Sequence, residues 1–242
     1  MLSIIIPAYN EETCIATTVE SLCHSFRALF QELEIIVVDD GSKDKTAQIV
    51  RMIANKDKNE VSIKLIQNVT NKGKGFSIKR GVLEASGDII IFTDADLPYD
   101  VESIKYLINR ISDAKPIVIG SRVLSESKVS AKISWFRYLS GRIYSILIQI
   151  FMFQNIPDTQ CGLKGFTSKI TKEVFPFLTI NGFAFDVELL YILRKKSCNI
   201  LQVPVTMISD RTDSRLNMAL DPIIMFLALF RIRINDFLGK YG

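Results

Sequence analysis

The chain has 242 residues, 48% hydrophobic and 23% charged, with 30 Lys and Arg against 26 Asp and Glu for a net charge of +4. That apolar content fills the core of one large domain, which excludes disorder, a short disulfide scaffold and a repeat array. The small positive excess excludes an indiscriminate nucleic-acid coat, so no nucleic-acid partner is expected. The four cysteines, Cys14, Cys23, Cys161 and Cys198, have neither metal-ligand spacing nor the density of a stapled secreted fold, and read as reduced thiols of a cytosolic protein.

Residues 1–7 have no basic stretch before a short apolar run, which argues against a signal peptide and for a first strand. The first 120 residues then alternate β-branched runs with helical stretches, the pattern of a parallel sheet with crossover helices. The expected strands are Leu2–Ile6, Glu34–Asp39, Ser62–Gln67, Asp88–Thr93 and Ile117–Gly120. Their runs are continuously apolar, which predicts a sheet buried on both faces. Ligands of such sheets sit beyond the carboxyl ends of the strands, and the chemistry-bearing clusters follow those ends.

After the first strand comes Pro7-Ala-Tyr-Asn-Glu-Glu12, and after the second Asp39-Asp-Gly-Ser-Lys-Asp-Lys-Thr46. Asp39 and Asp40 stand where nucleotide-binding folds put an acid against a ribose or base edge; the other reading is a cap for a helix over 45–53, which Ser42 or Asp44 also supplies. Gly73-Lys-Gly75 has Ile78 where a third glycine belongs, which argues against a dinucleotide fingerprint. Lys72 or Lys74 suits a loop approaching an anion, and a plain tight turn explains the glycines as well. After the fourth strand, Asp94-Ala-Asp96 puts two carboxylates on one side of the chain. There a hard divalent cation, Mg²⁺ or Mn²⁺, bridges to phosphate oxygens, although a solvated turn is the alternative.

The second half differs in character. Five basic residues, Arg122, Lys128, Lys132, Arg137 and Arg142, stand against Glu126 alone, among Trp135, Phe136 and Tyr138. Apolar runs follow at 143–153 and 223–230, well short of the roughly 20 residues that span a bilayer. The basic-then-apolar order predicts helices resting at a headgroup interface, with docking on the domain's own core as the alternative. Asp221 and Pro222 read as cap and first residue of the last helix, whose later turns carry Arg231 and Arg233. His24, the one histidine, falls in the first helix and receives no role, so Ser-His-Asp chemistry is excluded.

Taken together, Pro7–Glu12, Val37–Ser42, Asn71–Gly75 and Asp94–Asp96 resemble glycosyltransferase family 2, inverting enzymes of GT-A fold, over essentially the whole chain. More narrowly, Asp158-Thr-Gln-Cys-Gly-Leu-Lys164 and Gly182–Leu190 resemble the signature of dolichyl-phosphate β-glucosyltransferases and their polyprenyl-phosphate relatives. The resemblance implies an α/β fold, a Rossmann-like, mostly parallel sheet flanked by helices, with amphipathic C-terminal helices. Residues 1–216 would be the catalytic domain, divided into a nucleotide-sugar part (1–120) and an acceptor part (121–216), and 217–242 a membrane-associating helix. Pro7, Tyr9, Glu11, Asp39, Lys72, Asp94, Ala95 and Asp96 would bind the nucleotide sugar, with Asp96 and Asp94 on the metal. Asp94, Asp96, Arg122 and Asp158 would be catalytic, and Arg122, Gln160, Lys164, Asp186, Glu188 and Arg215 would border the acceptor.

The expected reaction moves a hexose, glucose from UDP-glucose, onto a polyisoprenyl phosphate. GDP-mannose or another nucleotide sugar as donor, a sugar hydroxyl as acceptor, and a non-catalytic nucleotide-sugar-binding membrane module are the alternatives. Two departures from the pattern stand out: Asp213-Ser-Arg215 replaces a Gly-Ser-Lys element, and no membrane-spanning helix leads the chain. Attachment at the cytoplasmic side of a membrane would then be peripheral, through the interfacial helices.

Overall fold

The computed structural model describes residues 1–56, 61–130, 135–208 and 220–242, with 135–140 described as backbone alone. The β-branched run after Met1 forms β1 (Leu2–Ala8), followed by α1 (Ile15–Phe26), β2 (Leu33–Asp39), α2 (Thr46–Lys56), β3 (Ser62–Gln67), α3 (Lys74–Leu83), β4 (Ile89–Phe92), α4 (Val101–Ile108) and β5 (Ile117–Ser121). Every strand expected from the sequence is present. Beyond them lie β6 (Lys128–Val129), α5 (Trp135–Phe151), β7 (Lys164–Thr167), α6 (Ser168–Val174), a 3-10 turn over Phe175–Phe177, α7 (Phe185–Lys195), β8 (Ile200–Pro204), β9 (Thr206–Met207) and α8 (Asp221–Phe237).

Seven strands form one sheet in the order β3-β2-β1-β4-β7-β5-β8, and β6 pairs with β9 apart from it. Neighbours run parallel except at β7, which lies antiparallel between β4 and β5. The sheet therefore takes strands from both sides of residue 120. Order reverses between β1 and β4, the switch point at which α/β sheets open a crevice beyond their carboxyl ends.

Side chains alternate between two apolar layers. Ile4 and Ile6 of β1 pack with Ile15, Val19 and Leu22 of α1 and with α2 and α4. Ile5 points the other way, toward Ile78 and Val82 of α3 and the buried faces of α6, α7 and α8. Each fully buried Ile, Val or Leu contributes about 1.5–3 kcal/mol, so two such layers fix the sheet in place.

Three details depart from the sequence reading. Burial on both faces holds for β1 and β2, whereas β3 is an edge strand whose Ser62, Lys64 and Gln67 are exposed. β7 and β8 fall outside the expected strands. At α8, Leu220 rather than Asp221 takes the cap position; Asp221 sits in the first turn, where its charge favours the helix N-terminus.

α5 and α8 pack together through Phe151 and Phe230, ring centroids 6.1 Å apart, and a Tyr144 hydroxyl that donates to the Met225 carbonyl at 3.4 Å. Each leaves apolar side chains in solvent: Ile143, Ile146 and Ile150 on α5; Ile223, Ile224 and Leu227 on α8. Among the described residues, no helix is long and apolar enough to cross a membrane.

Candidate active site

The loops after β1 and β2 are laced together. Asn10, at φ 55, donates its backbone N–H to Ser42 Oγ and accepts from the Lys43 N–H, each at 2.8 Å. Glu11 N–H donates to Thr46 Oγ1 (2.8 Å), while Glu12 and Asp44 exchange bonds with the backbone of Lys45 and Glu12. Asp44 also accepts from the Thr46 N–H at 3.0 Å at the start of α2, the capping role that the sequence left open among Asp39, Asp40, Ser42 and Asp44. These polar groups are spent on loop structure. Pro7 in β1, and Tyr9 and Glu11 in the segment between β1 and α1, are half-buried, and Glu11 Oε2 accepts from the Cys14 thiol at 3.3 Å.

The two aspartates of Asp39-Asp40 divide their work. Asp39 accepts from the Ser42 N–H and from Gln67 Nε2, both at 3.1 Å. Asp40 accepts from the N–H groups of Lys72 (2.9 Å) and Gly73 (2.7 Å) and from Asn68 Nδ2 (2.7 Å), so it folds the glycine loop. That loop turns at Gly73, φ 102, where any side chain would strike the Asn181 carbonyl. Lys72, the residue singled out by family resemblance, contributes its backbone to Asp40 and leaves its side chain exposed. Lys74 instead reaches the cleft, its ammonium 2.5 Å from Asp94 Oδ1.

Asp94, Ala95 and Asp96 form the turn beyond β4, closed by a Leu97 N–H bond to the Asp94 carbonyl (3.1 Å) with Leu97 at φ 44. α1 holds the turn from below: buried Thr18 donates to the Ala95 carbonyl at 2.7 Å, and Cys14 Sγ approaches it at 3.4 Å. Nothing in the helical pattern of α1 marked Thr18 for this contact. Burial alone would raise the Asp94 carboxyl, yet Lys74, Lys164 and Arg122 outweigh it and hold it below the usual carboxylate range.

β7 brings the second half to the same place. Because it runs against β4, Lys164 pairs with Phe92 at the carboxyl end of β4. Fully buried, Lys164 donates to Asp186 Oδ1 and to the Cys161 carbonyl, both at 2.6 Å, and lies 5.6 Å from the centre of the Phe92 ring. Burial raises the Asp186 carboxyl even against that ammonium. Asp158 receives three bonds from Arg122, from its backbone N–H, Nε and Nη2, each at 2.8 Å. Gly162 sits against the Asp94 carboxylate, where a methyl group would overlap it, and donates its N–H to Tyr99 Oη at 2.9 Å. Gln160 is half-buried beside Thr159. The Arg215 element lies outside the described residues.

Of the acceptor candidates, Glu188 has the carboxylate held by the largest number of donors among the described residues. It is fully buried and accepts from the Thr179 N–H and hydroxyl, the Ile180 N–H and the Tyr241 hydroxyl.

The crevice therefore combines two half-buried carboxylates on one turn with three cations whose charge acts on Asp94, namely Lys74, Arg122 and the fully buried Lys164. Among the described residues, no group of three or more His, Cys, Asp or Glu could cage a metal ion. Two oxygen donors on a turn fit a hard divalent cation that completes its shell with the phosphate oxygens of a substrate.

Comparison with known proteins agrees. The description "Glycosyl transferase family 2" matches residues 3–175. The chain is 35% identical to dolichyl-phosphate beta-glucosyltransferase of Dictyostelium discoideum, over 98% of this chain and 75% of that protein. It is 31% identical to the Saccharomyces cerevisiae enzyme of that name, covering 99% of this chain and 76% of the other. Against the Homo sapiens enzyme, the identity is 33% over 84% of this chain and 66% of that one. Among solved structures, glucosyl-3-phosphoglycerate synthase from Mycobacterium tuberculosis in complex with UDP superposes with a TM-score of 0.68 at 18% identity, over 100% of this chain and 80% of that one. The same synthase with Mn²⁺, UDP-glucose and phosphoglyceric acid gives a TM-score of 0.64 at 18% identity, over the same shares of both chains. With its Asp-x-Asp turn, its reversed strand and these relatives, the chain belongs to glycosyl transferase family 2 and has the GT-A fold.

Proposed function

We propose that this enzyme transfers glucose from UDP-glucose to the phosphate of a polyisoprenyl phosphate, with inversion at the anomeric carbon, as a peripheral protein on the cytoplasmic face of a membrane. The observation that carries this reading is the pairing of the Asp94–Asp96 turn with cations at one crevice, since the reaction must bring two anions together. Tyr9, Glu11 and Asp39 line the nucleotide side. Asp94 would face the junction of nucleotide and sugar, and Asp96 would hold Mg²⁺ or Mn²⁺. When bound, that ion neutralises charge growing on the departing diphosphate.

Arg122, oriented by Asp158, and Lys164, oriented by Asp186, offer positive charge to the acceptor. An acceptor phosphate oxygen attacks the anomeric carbon in line as the bond from that carbon to the diphosphate oxygen breaks and UDP leaves. A phosphate monoester has its second pKa near about 6 and needs little deprotonation. This favours a phosphate acceptor over a sugar hydroxyl, which requires a base. Asp186 is tied to Lys164 and Glu188 to four donors, so neither is free for that task.

The deciding experiment supplies purified protein with labelled UDP-glucose, Mn²⁺ and either a polyprenyl phosphate or soluble glycans. Label entering the organic phase only with the lipid is the expected result; label on soluble glycans, or UDP release without transfer, would overturn the acceptor.

A further inference from the structure

The buried Glu188 carboxylate has a consistent set of partners. The N–H groups of Thr179 and Ile180 donate to Oε2, both at 2.8 Å; the Thr179 hydroxyl (2.6 Å) and the Tyr241 hydroxyl (2.7 Å) donate to Oε1. Tyr241 is itself fully buried, and Asn235 of α8 donates to Thr179 Oγ1 at 2.9 Å. The segment around Thr179 is thus clamped from α7 on one side and from α8 and Tyr241 on the other.

The next residue of that segment supports the glycine loop. Phe76 N–H donates to the Asn181 carbonyl (3.1 Å), the carbonyl that leaves no room for a side chain at Gly73. Gly75 likewise lies against the Ile180 carbonyl and Phe185, and Lys79 Nζ donates to the carbonyls of Leu178 (2.8 Å) and Pro176 (2.9 Å). Between the two glycines stands Lys74, bonded to Asp94.

We propose that Glu188 and Tyr241 are positioning residues of the donor site: by clamping Thr179 and Ile180 they fix the Asn181 backbone that seats the Gly73–Gly75 turn, and so set the Lys74 ammonium on Asp94. Neither residue touches substrate. The proposal rests on the donor half of the function above and is independent of the acceptor. Its physical basis is that a buried carboxylate with four directed donors tolerates little displacement, and that sub-ångström errors at a charged contact are magnified in binding and rate.

The test is a double-mutant cycle on donor affinity, read by titration calorimetry with UDP-glucose and Mn²⁺, which needs no turnover. Tyr241→Phe removes only the hydroxyl and is expected to weaken binding roughly fivefold in the wild-type background but less than twofold in Lys74→Met. Thr179→Val, which deletes a different donor to the same carboxylate, is expected to follow the same pattern and serves if the first variant fails to fold. Equal losses in both backgrounds would assign Tyr241 a purely structural role and overturn the proposal, as would unchanged affinity in the wild-type background. UDP-glucose binding without transfer to lipid would remove the acceptor assignment and leave this inference standing.

Discussion

Burial opposes charge on Lys74 and Asp94 alike, and their ion pair keeps both ionised: the ammonium is raised and the carboxyl lowered from their ordinary ranges. Replacing Lys74 by Met removes one of the cations that offset burial at Asp94, whose pKa then rises. The acid limb of the kcat/KM profile is accordingly expected to move to higher pH, and a limb that stays in place would dissociate Lys74 from Asp94. Gly162 makes a second demand on that carboxylate. Gly162→Ala is expected to displace Asp94 and lower kcat by about 100-fold, the size of effect that a misplaced catalytic group produces; an assay beside a circular dichroism spectrum checks both activity and fold. Although the pair by itself reads equally as a solvated turn, the sequence pointed to Asp94 and Asp96 because of their place beyond the carboxyl end of a strand. It did not separate Lys72 from Lys74, since which lysine of a turn faces inward depends on Gly73 and its packing against Asn181, a contact across more than 100 residues.

Strands and helices differ in how openly they announce themselves. β1, β2 and β4 are runs of Ile and Val, and their pattern names them. β7 reads Lys-Gly-Phe-Thr, with neither alternation nor an apolar run, because its first residue serves the crevice and its second must clear Leu107 and Ile111. At the opposite end of the sheet, β2 carries Glu34, buried between the Ser3 hydroxyl (2.6 Å), Lys64 Nζ (2.5 Å) and the Ser86 N–H (3.0 Å). Burial raises its carboxyl, but those donors together outweigh it and the folded pKa falls below the ordinary 4.5. Its stabilisation is therefore present above that value and lost as pH falls through the folded one. Glu34→Gln is expected to lower stability by about 1–3 kcal/mol at neutral pH, the scale of hydrogen bonds to a buried charge, with the deficit shrinking in acid; urea titrations at two pH values measure it. For α8, Ile223→Asp with Leu227→Asp is expected to abolish flotation with anionic liposomes while the melting temperature holds, since both side chains are exposed.

At the scale of the whole molecule, one sheet joins a first half whose strands the sequence displays to a second half whose strands it largely conceals. Local patterns name the strands β1 to β5; the order β3-β2-β1-β4 and the insertion of β7 between β4 and β5 are not in those patterns, because β1 with β4 and β7 with both its neighbours join residues distant in sequence. Ligands that bind only the folded chain stabilise it by mass action. UDP with Mn²⁺ at 100 times the dissociation constant contributes about 2.7 kcal/mol, which in a chain of this size raises the melting temperature by about 5–10 °C. Thermal scans are expected to show that rise in the wild type and to lose it in Asp96→Ala.

The direction of β7 also makes spacing part of the chemistry. Successive residues of a strand face opposite ways, so Lys164 and Phe166 look toward α7 while Leu163 and Gly165 look toward α4. Deleting a single residue between Asp158 and Lys164 would either stretch Arg122 and Asp158 apart or slide the strand by one step, delivering Gly165 to the slot of the ammonium and thrusting Lys164 among hydrocarbon. The hexapeptide leading into this strand works as a ruler, and its length, as much as its letters, is what a functional variant must preserve.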